Sequence, residues 1–210
     1  MTARDIPGAL NGSRLLLQPR YAAEVARWQA ALDREGPVLL EVGFDHGRRL
    51  LNTARLNPDW QVLGIEVRRR RVEQAAERAA ERSLVNVLPW RADARTVLAT
   101  VTPPACLDVV EVLFPTPWPD TGPKSRRRLL TAEFLGDVAR ALRPGGVLLM
   151  ATDVEEEAER IAAALAQVPG LVDAPEARQA RPACTAHSRR EWKCEAEGLA
   201  VHRFNRRRSG

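Results

Sequence analysis

No stretch of this chain stays apolar for the roughly 18 to 20 residues needed to cross a bilayer. Its opening residues also lack the basic, apolar and small-residue order of a signal peptide. Those absences predict a soluble cytosolic protein. Cysteine is scarce: Cys106, Cys184 and Cys194 make three in all, too few for a paired framework, which fits a reducing compartment. Cys184, His187 and Cys194 fall close together, yet with no C-x-x-C pair and no fourth ligand at an expected spacing they read as ordinary thiols rather than a zinc site. Repeats and low-complexity tracts are missing as well. At 210 residues the chain is long enough for one domain with a real core and too short for two of ordinary size. The expected organisation is a flexible segment over 1–18, one domain over 19–206 and a basic tail over 207–210.

What is present is most informative at Val38-Leu39-Leu40-Glu41-Val42-Gly43-Phe44-Asp45-His46-Gly47 and at Gly64-Ile65-Glu66-Val67. Each reads as an apolar strand, the first running into a glycine turn and a helix. Glycines there let backbone approach a ligand closely, and a helix N-terminus offers unpaired N–H groups to negative charge. Glu66 falls at the tip of the second strand, where a carboxylate can accept hydrogen bonds from both hydroxyls of a ribose. Asp45 stands where a dinucleotide fingerprint would carry its second glycine, so the glycine signal alone is weak. Acidic residues recur at successive strand ends, however: Glu41, Glu66, then Asp93. Acids gathered at one sheet edge repel, and a cationic, polyhydroxylated ligand gives a reason to keep them. S-adenosylmethionine has both properties.

Strands and helices alternate after an amphipathic helix over 19–34: strands over 38–42, 61–67, 86–90, 107–113 and 147–152, and helices over 47–57, 69–82, 93–100, 126–142 and 154–166. This predicts an α/β fold, a parallel sheet covered on both faces, with ligands at the carboxyl ends of the strands. The region 168–190 is rich in proline and arginine, and 199–205 could return as an edge strand. The loop from Phe114 to Ser125 carries four prolines, which fix backbone angles and suit a rigid wall over a site. Trp118 within it reads equally as a stacking platform for a base or as a core aromatic.

The net charge is +5, and its arginines are clustered: Arg68 to Arg71, Lys124 with Arg126 to Arg128, Arg189 with Arg190, and Arg206 to Arg208. Guanidinium groups pair with phosphates in a bidentate way, so clusters converging on one cleft make a footprint for nucleic acid. Part of the first run also reads as a solvated helix face, because Glu73, Glu77 and Glu81 follow it.

From about Val38 to Val168, and more loosely to Arg206, the chain resembles the bacterial tRNA (guanine-N7-)-methyltransferases. The residues that carry the resemblance are the Glu41-Val42-Gly43-Phe44 turn, Asn57-Pro58-Asp59, Gly64-Ile65-Glu66 followed by Arg69 to Val72, Asn86-Val87, and Ala92-Asp93-Ala94. Further along they are Phe114-Pro115 with Pro117-Trp118-Pro119, Arg126 to Arg128, Leu142 to Gly146, and Ala151-Thr152-Asp153. Generic methyltransferases share the glycine turn and the Pro-Gly-Gly; they lack the proline-tryptophan loop followed by arginines.

The resemblance implies a Rossmann-like class I methyltransferase that uses S-adenosyl-L-methionine and acts on tRNA in the cytoplasm. It implies that Glu41, Gly43, Glu66 and Asp93 border the cofactor, and Glu111 is grouped with them. Asp153 would line the guanine side, and Ser188 and Glu191 match a threonine-x-x-glutamate spacing; these three form the candidate catalytic set. Thr116, Trp118, Asp120, Lys124, Arg126, Arg127 and Arg128 form the candidate substrate-binding set. Four departures touch the pocket more than the scaffold. Thr116 replaces the loop aspartate, Asp120 stands where a lysine is expected, Asp45-His46 replaces a glycine-containing pair, and Arg190 occupies an aromatic position. Two other readings therefore stay open: a methyltransferase of this fold with another substrate, and a tRNA-binding protein that has lost catalysis.

Overall fold

The structure is a computed structural model that describes residues 18–119, 121–184 and 186–210. The expected flexible segment falls, but for Gln18, outside the described residues, as does Asp120. A short 3-10 turn at Pro19–Tyr21 leads into α1 (Ala22–Leu32). Then follow β1 (Val38–Val42), α2 (Arg48–Leu56), β2 (Gln61–Glu66), α3 (Arg69–Glu81), β3 (Val87–Arg91), α4 (Ala94–Thr100) and β4 (Leu107–Leu113). The chain continues through α5 (Ala132–Ala141), β5 (Leu142–Thr152), α6 (Glu155–Leu165), β6 (Leu171–Asp173), α7 (Arg189–Glu197) and β7 (His202–Arg208).

The seven strands form one sheet in the order β3-β2-β1-β4-β5-β7-β6. The first five in that order run parallel, and β7 is antiparallel to both β5 and β6. Every residue of β1 and β2 is buried, as expected for strands covered on both faces, which explains their unbroken apolar runs. The order reverses direction at β1, with β2 on one side and β4 on the other. The carboxyl end beside that reversal is where an open α/β sheet leaves a crevice.

One face of the sheet packs around Trp28, Trp90, Phe134 and Leu135, with the two indole rings 5.3 Å apart and tilted by 40°. The other face is built from Leu39, Phe44, Leu50, Val62 and Ala75. Asn86 braces the β2 side: its side-chain amide donates to the carbonyls of Ala54, Asn57 and Trp60 at 2.9 to 3.0 Å, satisfying the end of α2 where no helical partner remains. Among the described residues no helix is long and apolar enough to cross a membrane.

Four sequence expectations need correction. The helix expected over 126–142 is instead a 3-10 turn at Ser125–Arg127 followed by α5, which starts at its own N-cap, where Thr131 Oγ1 accepts from Phe134 N at 3.3 Å. Strand β5 begins five residues early, running through Arg143-Pro144-Gly145-Gly146 with a register shift opposite Leu107 and Val109. The returning strand is interior rather than at the edge, because β6 covers it. It also takes in Arg206 to Arg208, so the basic tail expected from 207 begins inside β7. Beyond these, α7 occupies residues for which no element was expected. Its N-cap is Ser188, whose Oγ accepts from Glu191 N at 3.0 Å, and its C-cap is Gly198 at φ 66°.

Candidate active site

A cleft of about 1020 Å³ opens at the carboxyl ends of β1, β2, β3 and β4. The turn after β1 shapes its floor. Gly43 has φ 77°, a conformation that favours glycine, and its N–H donates to Ile65 O at 2.8 Å. Nothing lies within 4 Å of where a Gly43 Cβ would stand, so backbone is presented directly to the cleft. Asp45 also adopts a left-handed conformation, at φ 48°, and its N–H donates to Glu66 Oε2 at 3.2 Å. Asp45 therefore keeps the backbone shape that a glycine would give, and adds a charge.

Glu41, Gly43, Glu66 and Asp93 all line this cleft, with Thr116, Trp118, Arg127 and Ser188 on its rim. The three acids are buried. They are not left simply to repel one another: Glu66 and Asp93 each have an arginine partner, and Glu41 faces one that it shares with Glu111 and Glu191. Glu66 accepts from the backbone N–H of Arg68 at 2.9 Å and from its guanidinium at 3.1 and 3.2 Å. Asp93 caps α4 through Arg95 N at 3.0 Å and pairs with the Arg95 guanidinium at 2.6 Å. Glu41 faces Arg49 at 4.0 Å. Burial dominates at Glu41, pushing its carboxyl up to about 8 despite Arg49 and Arg181, with Glu111 adding to the rise.

Among the described side chains, five predicted site residues do not line the large cleft: Glu111, Glu191, Asp153, Lys124 and Arg128. Glu111 pairs with Arg49 at 2.8 Å and Arg181 at 2.5 Å, where β1 and β4 bring Glu41 and Glu111 side by side in register. Glu191 pairs with Arg203 at 2.9 Å and approaches Arg49 at 3.9 Å. Burial raises its carboxyl, but Arg203, Arg49 and Arg178 together bring it below the usual range. Asp153 accepts two hydrogen bonds from the Arg190 guanidinium, one of them at 2.8 Å, and that arginine holds its carboxyl below the ordinary value. Ser188 spends its hydroxyl as a helix cap. In the proline loop Arg127 lies over the Trp118 ring, 5.1 Å from its centroid. Lys124 stands at the start of the turn that contains Arg126, and Arg128 at its end.

The sequence reading missed Arg49 altogether. It is 5% exposed on the first turn of α2 and sits among Glu41, Glu111 and Glu191. Glu111 and Glu191, on two distant segments, hold it there with Glu41 facing its Nε, and no local spacing marks it. Arg68 and Arg190 were counted as part of a nucleic-acid footprint, whereas here they are engaged by Glu66 with Asp45 and by Asp153. Among the described residues, Cys184 and Cys194 do not join His187 in a cluster. The groups that approach within 4.8 Å are His187, Glu191 and Glu195, and Glu191 is already committed to arginines.

The family model described as "Putative methyltransferase" matches residues 35–204. The tRNA (guanine-N(7)-)-methyltransferase of Ralstonia nicotianae is 37% identical over 172 residues, covering 81% of this chain and 67% of that one. The enzyme of the same name from Synechococcus sp. is 32% identical over 191 residues, covering 90% and 80%. Two further relatives, from Cupriavidus pinatubonensis and Thermus thermophilus, are longer, and the chain spans 64% and 48% of their lengths. Among solved structures, the 16S rRNA methyltransferase KamB superposes with a TM-score of 0.62 at 21% identity, over 88% of this chain and 94% of that one.

Proposed function

Because the chain belongs to the tRNA (guanine-N7-)-methyltransferase family and has the fold of an S-adenosylmethionine-dependent methyltransferase, we propose that it methylates N7 of a guanine in tRNA in the cytoplasm. The observation that carries the reading is one cleft wall that joins the exposed backbone of Gly43, the carboxylates of Glu41, Glu66 and Asp93, and the proline loop with Trp118.

S-adenosylmethionine supplies, when bound, a methyl group on a sulfonium. Glu66 would accept from its ribose hydroxyls, Asp93 would border the adenine, and Glu41 would take the ammonium end. Guanine N7 bears a lone pair and no proton, so no general base is required; the chain has to hold the two reactants in line and close. Trp118, with Arg127 over its ring, would stack on the base, and the basic loop that begins at Lys124 would take phosphates. Arg48, Arg82 and Arg189 extend the basic lining along the cleft.

A second reading keeps the cofactor and changes the substrate. Asp153, expected to line the guanine side, is already held by Arg190, and Thr116 leaves the loop without a carboxylate for the guanine N1–H and N2–H donors. The purified protein with labelled S-adenosylmethionine and unmodified tRNA decides between them. N7-methylguanine in the digest supports the first reading. Inert tRNA with labelling of another acceptor selects the second.

A further inference from the structure

The strongest unassigned feature is the buried charge cluster behind the cleft, and its centre is Arg49. The Arg49 guanidinium reaches in three directions. One terminal nitrogen donates to Glu111 Oε2 at 2.8 Å. The other donates to Ala186 O at 3.1 Å and lies 3.9 Å from Glu191 Oε2. Nε points toward Glu41 Oε1 at 4.0 Å and has no hydrogen-bond partner although it is fully buried. A buried donor left unsatisfied is costly, and Nε is about 1 Å beyond hydrogen-bonding range of the carboxylate that borders the cofactor cleft.

The carbonyl of Ala186 belongs to a strap, described over 181–184 and 186–188, that runs along α2 and leads to Ser188 and α7 at the cleft. Among the described residues, Glu111 of β4 holds its start through Arg181 at 2.5 Å, and side chains of α2 and its C-terminal cap hold the rest. Asn57 Nδ2 donates to Ala183 O at 2.7 Å, Ala183 N donates back to Asn57 Oδ1 at 3.1 Å, and Ala186 N donates to Asn52 Oδ1 at 3.3 Å. Arg49 is therefore the one residue in the described network that touches both the cofactor-side acid and the strap that carries Glu191.

We propose that Arg49 is a positioning residue that couples occupancy of the cofactor cleft to the seating of the C-terminal strap and of Glu191. The inference rests on the cofactor reading above. An ammonium group placed against Glu41 fixes that side chain as a carboxylate and gives the Arg49 Nε–H a full acceptor. Because the guanidinium is planar with its donors in a fixed fork, closing the bond at one corner constrains the bonds to Glu111 and Ala186 O at the other two. The strap is then held more firmly when the cleft is full. By reciprocity, a strap held down by RNA strengthens cofactor binding.

The test is hydrogen exchange at the Ala183 and Ala186 amides in the full chain, with and without saturating S-adenosylhomocysteine. Calorimetry on the same samples reports binding itself. Occupancy of the cleft is expected to slow both amides by about 5- to 150-fold, the range typical of linked sites. In Arg49→Gln the ligand still binds but the slowing disappears. In Arg49→Lys, which keeps the charge and loses the fork, affinity is largely restored and the slowing is not. Unchanged exchange in the unmodified protein with ligand bound overturns the proposal, as does full slowing in Arg49→Gln. If Arg49→Gln fails to fold, the comparison on the unmodified protein decides alone. If calorimetry shows no binding at all, the cofactor reading fails, and the coupling falls with it.

Discussion

Replacing Arg68 by alanine should tighten cofactor binding. In the structure the Arg68 side chain, 53% exposed, lies across the two carboxylates at the ribose end of the cleft. Its guanidinium donates to Glu66 at 3.1 and 3.2 Å and to Asp45 Oδ1 at 2.8 Å. Ribose hydroxyls seeking Glu66 have to displace it. An exposed ion pair contributes about 0.2–1 kcal/mol, so releasing Arg68 from two partners costs about 0.4–2 kcal/mol. Removing that cost corresponds to about 2- to 30-fold tighter binding. Glu66 stays oriented in the variant, because the backbone N–H groups of residue 68 and Asp45 still donate to it at 2.9 and 3.2 Å. Calorimetry with S-adenosylhomocysteine reads the change. The gap between variant and parent should narrow at high salt, since the contacts that disappear are partly exposed. Weaker binding in Arg68→Ala would refute the reasoning, because Arg68 would then be a contributor to the ligand rather than a competitor for its partners.

Glu41, with its carboxyl near 8, is mostly protonated at pH 7, and a cation beside it favours the ionised form. Cofactor binding at pH 7 should therefore release close to one proton, seen by calorimetry in buffers of different ionisation enthalpy, and the release should vanish in Glu41→Gln. Gly64→Ala places a Cβ 2.7 Å from both Leu50 Cδ2 and Phe44 Cδ1, so overpacking should cost about 1–3 kcal/mol in denaturant unfolding. Because Phe44 adjoins the cofactor turn, affinity should fall with it. In Arg190→Ala the hold that depresses the Asp153 carboxyl is lost. Its contribution to stability, present above the unfolded value of 3.8 and lost as pH falls through the lower folded value, disappears, so acid unfolding should begin at higher pH. The freed carboxylate should also lower the KM for tRNA.

The parallel core was legible because its signals are local. Buried strands such as Val38-Leu39-Leu40 carry unbroken apolar runs, and glycine or proline closes the helices between them. The C-terminal third was less legible because its structure depends on partners far along the chain. Helix α7 is announced only by a serine and a glutamate three residues apart, a capping pattern that was attributed to catalysis. Strand β7 is rich in arginine because its side chains find remote acceptors, among them Glu191, Asp173 and Glu176. The acids of the cleft were found by position at strand ends. Their arginine partners were not, since nothing in a sequence distinguishes a guanidinium aimed at a phosphate from one aimed at a carboxylate, even where, as for Arg68 and Arg95, that acid is two residues away.

The Arg49, Glu111 and Arg181 cluster also restricts how this lineage can drift. Deleting one member strands a charge in a dry interior, a loss of about 3–5 kcal/mol against a typical domain stability of about 5–15 kcal/mol. Swapping the members together for well-packed apolar residues is often neutral. Variation at positions 49, 111 and 181 should therefore be inherited as a block, so that descendants with a small or apolar residue at 49 also lack an uncompensated acid at 111.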